Sequence, residues 1–195
     1  MRIVLASSSP SRRMILNNAG VDPVICPADV DEDALLAAHE GSPAEAVAAL
    51  ARAKARAVAT QFPDDVVIGG DSMLLIDDHL QGKPHTPEET VRRWHQQAGK
   101  VAQLLTGHCL IHRGQEHVET STTTIHFAQA SDVDIEAYAA SGEPWQCAGA
   151  FTLEALGGWF IDRIEGDPSS VIGLSLPVVR RALYDFGLDA SQFWR

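Results

Sequence analysis

The residues best suited to chemistry begin at Ser7-Ser8-Ser9-Pro10-Ser11-Arg12-Arg13, where the apolar run Ile3-Val4-Leu5-Ala6 breaks into serines. Ser9 is placed to cap a helix and Pro10 to open it. Free backbone N–H groups, serine hydroxyls, the positive end of a helix and the arginines Arg12 and Arg13 meet at this turn. The combination suits a phosphate or another anion. A well-capped helix with solvated arginines would carry the same sequence.

Lys54, Asp71 and Lys83 could serve such an anion. The capping box Ser42-Pro43-Ala44-Glu45 predicts a helix over residues 43–60. Val47, Leu50, Ala51 and Val58 form its apolar stripe, with Lys54 near the centre and Arg52 and Arg56 on the opposite side. An ammonium buried there without an anion costs several kcal/mol, unless the stem packs and the head snorkels to water. Asp71 ends the apolar strand Val66-Val67-Ile68-Gly69-Gly70, whose glycines leave room for a ligand or another backbone. Carboxylates at strand ends hold Mg²⁺ or orient an attacking water, and they also make their own turns. Lys83, in Gly82-Lys83-Pro84, lies outside any Walker pattern and by itself reads as a surface lysine.

Other arrangements offer less. His108 and His112 are four apart on a predicted strand with no metal-ligand cluster beside them, so they are expected on a solvent face. No G-x-S-x-G elbow anchors a serine nucleophile. The threonines from Thr120 to Thr124 are ordinary strand formers.

The elements that must position these residues alternate between strand and helix. Short strand character at Val24-Ile25 passes into an acidic loop, Asp29 to Asp33. Strand residues 66–76 turn at Asp77-Asp78-His79. Thr86-Pro87-Glu88-Glu89 is a second capping box, opening a helix that stops near Gly99. Long strands over 101–112 and 116–128 flank the turn Arg113-Gly114-Gln115. Ser131 caps a helix closed by Gly142, a strand covers 158–164, and a last helix runs from Pro177 to Gly187. The interleaving with an antiparallel hairpin predicts an α/β fold with a mixed central sheet flanked by helices.

At 195 residues the chain is expected to form a single domain, residues 1–195, with a sizeable core. A formal charge of −11 argues against broad nucleic-acid binding, and no apolar run is long enough for a membrane span. Cys26, Cys109 and Cys147 are odd in number and widely spaced, which suits reduced thiols in a cytoplasmic protein. The N-terminus lacks the apolar core of a secretory leader.

The segments Leu5 to Arg12, Lys54, Gly70-Asp71, Gly82-Lys83-Pro84, Ser141-Gly142-Glu143-Pro144, Cys147 to Phe151 and Val171 to Leu174 occur in one order. In that order the chain resembles the Maf family of nucleoside triphosphate pyrophosphatases, from about residue 3 to residue 187. The resemblance implies a strongly twisted mixed sheet in two lobes with a cleft between them, related to inosine triphosphate pyrophosphatases. It implies hydrolysis between the α and β phosphates, giving a nucleoside monophosphate and pyrophosphate, with Mg²⁺ or Mn²⁺ as cofactor. It also implies a homodimer. Carried over by position, Ser7, Ser9 and Arg12 line the phosphate site, Lys54 and Lys83 contact phosphate, Asp71 is the catalytic aspartate, and Glu32 with Asp71 serves the metal. Ser11 and Gly70-Asp71-Ser72-Met73 depart from the usual family pattern. Glu154 stands where the pyrimidine-preferring subgroup has glutamine, and with Cys147 it is more similar to the subgroup acting on 7-methyl-GTP. A nucleotide-binding regulator of cell division with little catalysis is the alternative, as is an enzyme for another phosphorylated substrate.

Overall fold

Strand β1 (Ile3–Leu5) runs parallel to β2 (Val24–Ile25) on one side and to β3 (Val66–Ile76) on the other, so Val4 faces both Val24 and Val67. In the computed structural model, which describes residues 1–195, these strands open a seven-stranded sheet. β4 (His79–Gln81) returns antiparallel on β3. The order continues through β5 (Val101–His112) and β6 (Gln115–Phe127) to β7 (Ile161–Glu165), which is antiparallel to β6. The sheet is therefore mixed, as the interleaved elements predict.

The hairpin turns follow from local chemistry. Asp77 and Asp78 take φ of 48° and 61°, and Arg113 and Gly114 take 48° and 80°. Two consecutive left-handed residues give the turn whose twist matches the strands it joins.

The helices are α1 (Pro10–Asn18), α2 (Glu32–Ala37), α3 (Pro43–Ala59), α4 (Pro87–Gln97), α5 (Asp132–Ala140), α6 (Pro168–Ile172) and α7 (Leu176–Asp185). Ser9, Ser42, Thr86, Ser131 and Ser175 each accept a bond from the backbone N–H three residues on, which satisfies a donor the helix start leaves open.

Five expectations need correction. The acidic stretch at Asp29–Asp33 is not all loop, because Asp31 caps α2 by accepting from Ala34 N at 3.0 Å. Thr86 makes only half of its box, since the Glu89 carboxylate is taken by Arg92 and Arg93. β7 begins at Ile161, because residues 156–160 coil into a 3-10 turn. Asp71 lies inside β3, not at its end. His108 and His112 are buried, because β5 runs between β3 and β6 and every residue from Leu104 to His112 is covered. His108 Nε2 accepts from Ser175 N at 2.8 Å, and His112 Nδ1 lies 3.2 Å from Asp65 O.

The chain divides into two compact units. The first comprises Met1–Asp71, Thr106–Ser121 and Gly173–Arg195. Its core packs the inner face of α3 (Ala51, Ala55, Val58) on Val4, Val67 and Cys109 of the sheet. The second comprises Ser72–Leu105 and Thr122–Ile172. Its centre is Trp94, fully buried, with Phe127, Tyr138 and Phe160 edge-on at 5.5, 5.7 and 5.6 Å and its indole N–H on Ala150 O at 2.8 Å. Rings meeting edge to face match the polarity of their faces and rims.

Candidate active site

The turn between β1 and α1 is organised by its own hydroxyls. Ser7 Oγ accepts from Ser9 N and from Arg12 Nη1, each at 3.2 Å. Ser9 Oγ accepts from Arg12 N at 3.4 Å as the cap of α1. Arg12 is buried and its Nε donates to Gly173 O at 2.8 Å, while Arg13 stays exposed. Arg12 passes between two glycines: a Cβ on Gly70 would lie 3.3 Å from its Nε, and one on Gly173 would lie 3.4 Å from its Cγ. Gly173 has φ +131°, a conformation other residues rarely adopt. Burial pulls the Arg12 pKa down from its ordinary value, against the opposing pull of Asp71 and Glu32.

Lys54 completes the cluster from α3. It is 8% exposed, on the buried face as the periodicity predicts. Its Nζ lies 2.7 Å from Asp71 Oδ1 and 2.9 Å from Glu32 Oε2, so one ammonium joins two carboxylates. Gly69, two residues before Asp71, explains how α3 comes this close. A Cβ on Gly69 would stand 2.2 Å from Ala51 O, and one on Gly107 2.2 Å from Val47 O. The room that Gly69 leaves is therefore taken by helix backbone, and that of Gly70 by Arg12.

Asp71 is buried, and its Oδ2 has no hydrogen-bond partner. Burial raises its pKa above the ordinary carboxylate value, with Lys54 and Arg12 opposing and Glu32 adding to the rise. Ser7, Ser9, Arg12, Glu32, Lys54 and Asp71 thus all belong to the first unit, where fixed cations, hydroxyls and carboxylates are gathered. Such a set can bind a polyanion, hold a divalent cation and take a proton from water.

Lys83 and Glu154 belong to the second unit, and both are exposed. The Lys83 loop is held by its backbone: Gly82 O accepts from Arg93 Nη1 and from Gly149 N at 3.2 Å, and Arg93 is itself paired with Glu89 at 2.7 Å. Cys147 feels Glu154, Glu143 and Lys83. Burial and then the two carboxylates push its thiol up to about 11, so it stays protonated at neutral pH. Sequence reasoning did not find Arg93, which carries no motif. Gly173 falls in the Val171 to Leu174 segment, but its contact with Arg12 closes over 161 positions and was not legible.

A sequence profile of the family described as Maf-like protein matches residues 2–186. A protein of Corynebacterium aurimucosum, named nucleoside triphosphate pyrophosphatase, is 70% identical over 195 residues, covering all of this chain and 98% of the relative. Proteins of the same name from Nocardia farcinica and Rhodococcus opacus are 56% and 52% identical, over 99% and 98% of this chain and 96% and 95% of their own. This chain belongs to the Maf-like protein family.

Proposed function

We propose that the protein hydrolyses nucleoside triphosphates between the α and β phosphates, releasing a nucleoside monophosphate and pyrophosphate. One observation carries the reading: the Lys54 ammonium bridges Asp71 and Glu32 inside the unit where Arg12 and the serine turn offer further anion donors. The names borne by the relatives support the same activity. The triphosphate rests on Ser7, Ser9 and the start of α1, with Arg12 and Lys54 neutralising its charge. Lys83 and Glu154 keep the roles that the resemblance gives them, on phosphate and base. Asp71 takes the proton of the attacking water through Oδ2, the oxygen that Lys54 leaves free.

A divalent cation fits the residues present. Glu32 Oε2 and Asp71 Oδ1 already share one cation, the Lys54 ammonium, and two carboxylate oxygens are the kind of donor a hard divalent cation takes. No group of three or more His, Cys, Asp or Glu is assembled. Glu32 and Asp71 would therefore hold Mg²⁺ or Mn²⁺ with water and phosphate oxygens filling the other positions, as Mg²⁺ prefers. When bound, the ion would spread the negative charge that phosphoryl transfer develops. The family resemblance further implies a homodimer, and the odd, widely spaced cysteines suit a cytoplasmic protein; no helix is long and apolar enough to cross a membrane.

The test is incubation with a panel of standard and modified nucleoside triphosphates, with and without Mg²⁺ or Mn²⁺. Monophosphate and pyrophosphate in equal amounts are expected. Orthophosphate alone, or tight binding with no product, would overturn the reading.

A further inference from the structure

Glu143 is used by nothing described so far, yet its carboxylate is among the most heavily bonded groups in the second unit. It accepts from the Tyr138 hydroxyl at 3.2 Å, from the Thr152 hydroxyl, from Leu156 N at 3.1 Å and from Gly157 N at 3.0 Å. All of these donors are uncharged. Thr152, Leu156 and Gly157 are the two ends of one short loop, so a single carboxylate ties the neck of that loop from outside it.

The neck is tightened further. Thr152 N donates to the Tyr138 hydroxyl at 3.1 Å, and Gly157 N also reaches Thr152 Oγ1 at 3.2 Å. A Cβ on Gly157 would stand 2.5 Å from both Thr152 O and the Tyr138 hydroxyl, so only glycine fits. Tyr138 cannot readily yield, being 3% exposed and packed edge-on against Trp94. At the tip, Glu154 and Ala155 are exposed, and Leu153 N donates back to the Glu154 carboxylate at 3.1 Å. Burial raises the Glu143 pKa, but the bonds from Thr152, Gly157, Leu156 and Tyr138 outweigh it and hold the group below its ordinary value. It is thus a permanent anion at neutral pH, and its backbone donors need it as one.

We propose that Glu143 is a positioning residue for base recognition: by clamping both ends of the 152–157 loop it fixes where Glu154 stands, and thereby sets which nucleobase is accepted. The inference rests on the proposed function and on Glu154 reading the base. A glutamine at 143 keeps the size but turns an NH₂ toward N–H donors, which loosens the neck without opening a cavity.

The test compares native protein with Glu143→Gln, Thr152→Val and Glu154→Gln, using the two nucleotides that the native protein separates most. Glu143→Gln is expected to raise KM for the preferred nucleotide ~10-fold while kcat changes less than ~3-fold, and to reduce the discrimination ratio ~10-fold. Thr152→Val should shift the ratio the same way by less. Adding Glu143→Gln to Glu154→Gln should change the ratio little further, since both act through one side chain. Inhibition by inorganic tripolyphosphate, which has no base, should stay within ~2-fold in every variant. An unchanged ratio in folded Glu143→Gln would overturn the inference, and so would equal weakening of tripolyphosphate inhibition. If Glu143→Gln does not fold, an unchanged ratio in Thr152→Val overturns it. Absence of pyrophosphate release by the native protein would instead bring down the proposed function, and this inference with it.

Discussion

The two units treat a shielded carboxylate in opposite ways. In the first, Asp71 and Glu32 share the ammonium of Lys54, and Asp71 keeps one oxygen without a donor. In the second, Glu143 is surrounded by two hydroxyls and two backbone N–H groups. Burial pushes both pKa values upward, but the net direction differs: Asp71 ends above its ordinary value and Glu143 below it. Two of its donors are backbone N–H groups of one loop, and the Tyr138 and Thr152 hydroxyls that complete the set are themselves bonded into the neck of that loop, so Glu143 is locked. A lysine head and a half-satisfied aspartate can exchange partners when a polyanion and a cation arrive. The first arrangement is suited to chemistry, the second to holding shape.

The largest test of this contrast is Asp71→Asn. The amide cannot accept the water's proton, yet it preserves size, so kcat should fall ~10³-fold while nucleotide affinity stays near the native value. Near-normal turnover would remove Asp71 from the chemistry.

Lys54→Ala comes next, with kcat/KM expected to fall ~10²-fold, the scale of losing one preorganised charge contact. It also strands Glu32 and Asp71 as a repelling pair. Mg²⁺ should therefore raise the Tm of this variant by about 3 °C more than it raises the native Tm, a shift of roughly 1 kcal/mol in a chain of this size. Equal shifts would show that the lysine and the cation do not compete for the same carboxylates.

Some of this cluster was legible in the sequence and some was not, for physical reasons. Lys54 showed itself because helical periodicity puts a charge where only apolar residues belong, and its burial follows. The turn at Ser7–Arg12 was legible because capping is local. Asp71 read both as the end of an apolar strand and as part of a strand over 66–76, beside glycines that leave room for a ligand or another backbone. Here they let α3 and Arg12 approach a strand that runs on to Ile76. α2 was hidden because its six residues bury nothing and so leave no apolar stripe. The clamp at Glu143 spans up to 14 positions between a 3-10 turn and a loop, and no periodicity records such a closure.

Packing around the two glycines that precede candidate residues gives a smaller and purely structural test. Gly69→Ala would place a Cβ 2.2 Å from Ala51 O and 2.6 Å from Ala55 N, both backbone atoms of α3. Overpacking of that kind costs about 2 kcal/mol. Gly82→Ala in the second unit meets nothing within 4 Å and should change stability by less than about 0.5 kcal/mol. Chemical denaturation of both variants decides this, and equal losses would mean that α3 does not rest on Gly69.

The smallest effect is expected from the Glu89 ion pairs of the second unit, which lie toward solvent where the Lys54–Asp71 pair of the first is buried. Glu89 binds Arg92 and Arg93, and its hydrogen bond from Arg92, with help from Arg93, lowers its pKa from 4.5 to about 2. A depressed carboxylate contributes stability that is complete above 4.5 and is lost as the pH falls toward 2. Glu89→Gln should therefore destabilise the protein at pH 6 by less than about 1 kcal/mol, because water screens such a pair. The gap between variant and native protein should narrow as the pH is lowered through the same window. Urea denaturation across that range measures the gap, and one that stayed constant or widened would show that the Glu89 charge does not stabilise the fold. Because Arg93 also holds Gly82 O, the same variant should loosen the Lys83 loop, seen as faster amide exchange there, while leaving exchange in α3 unchanged.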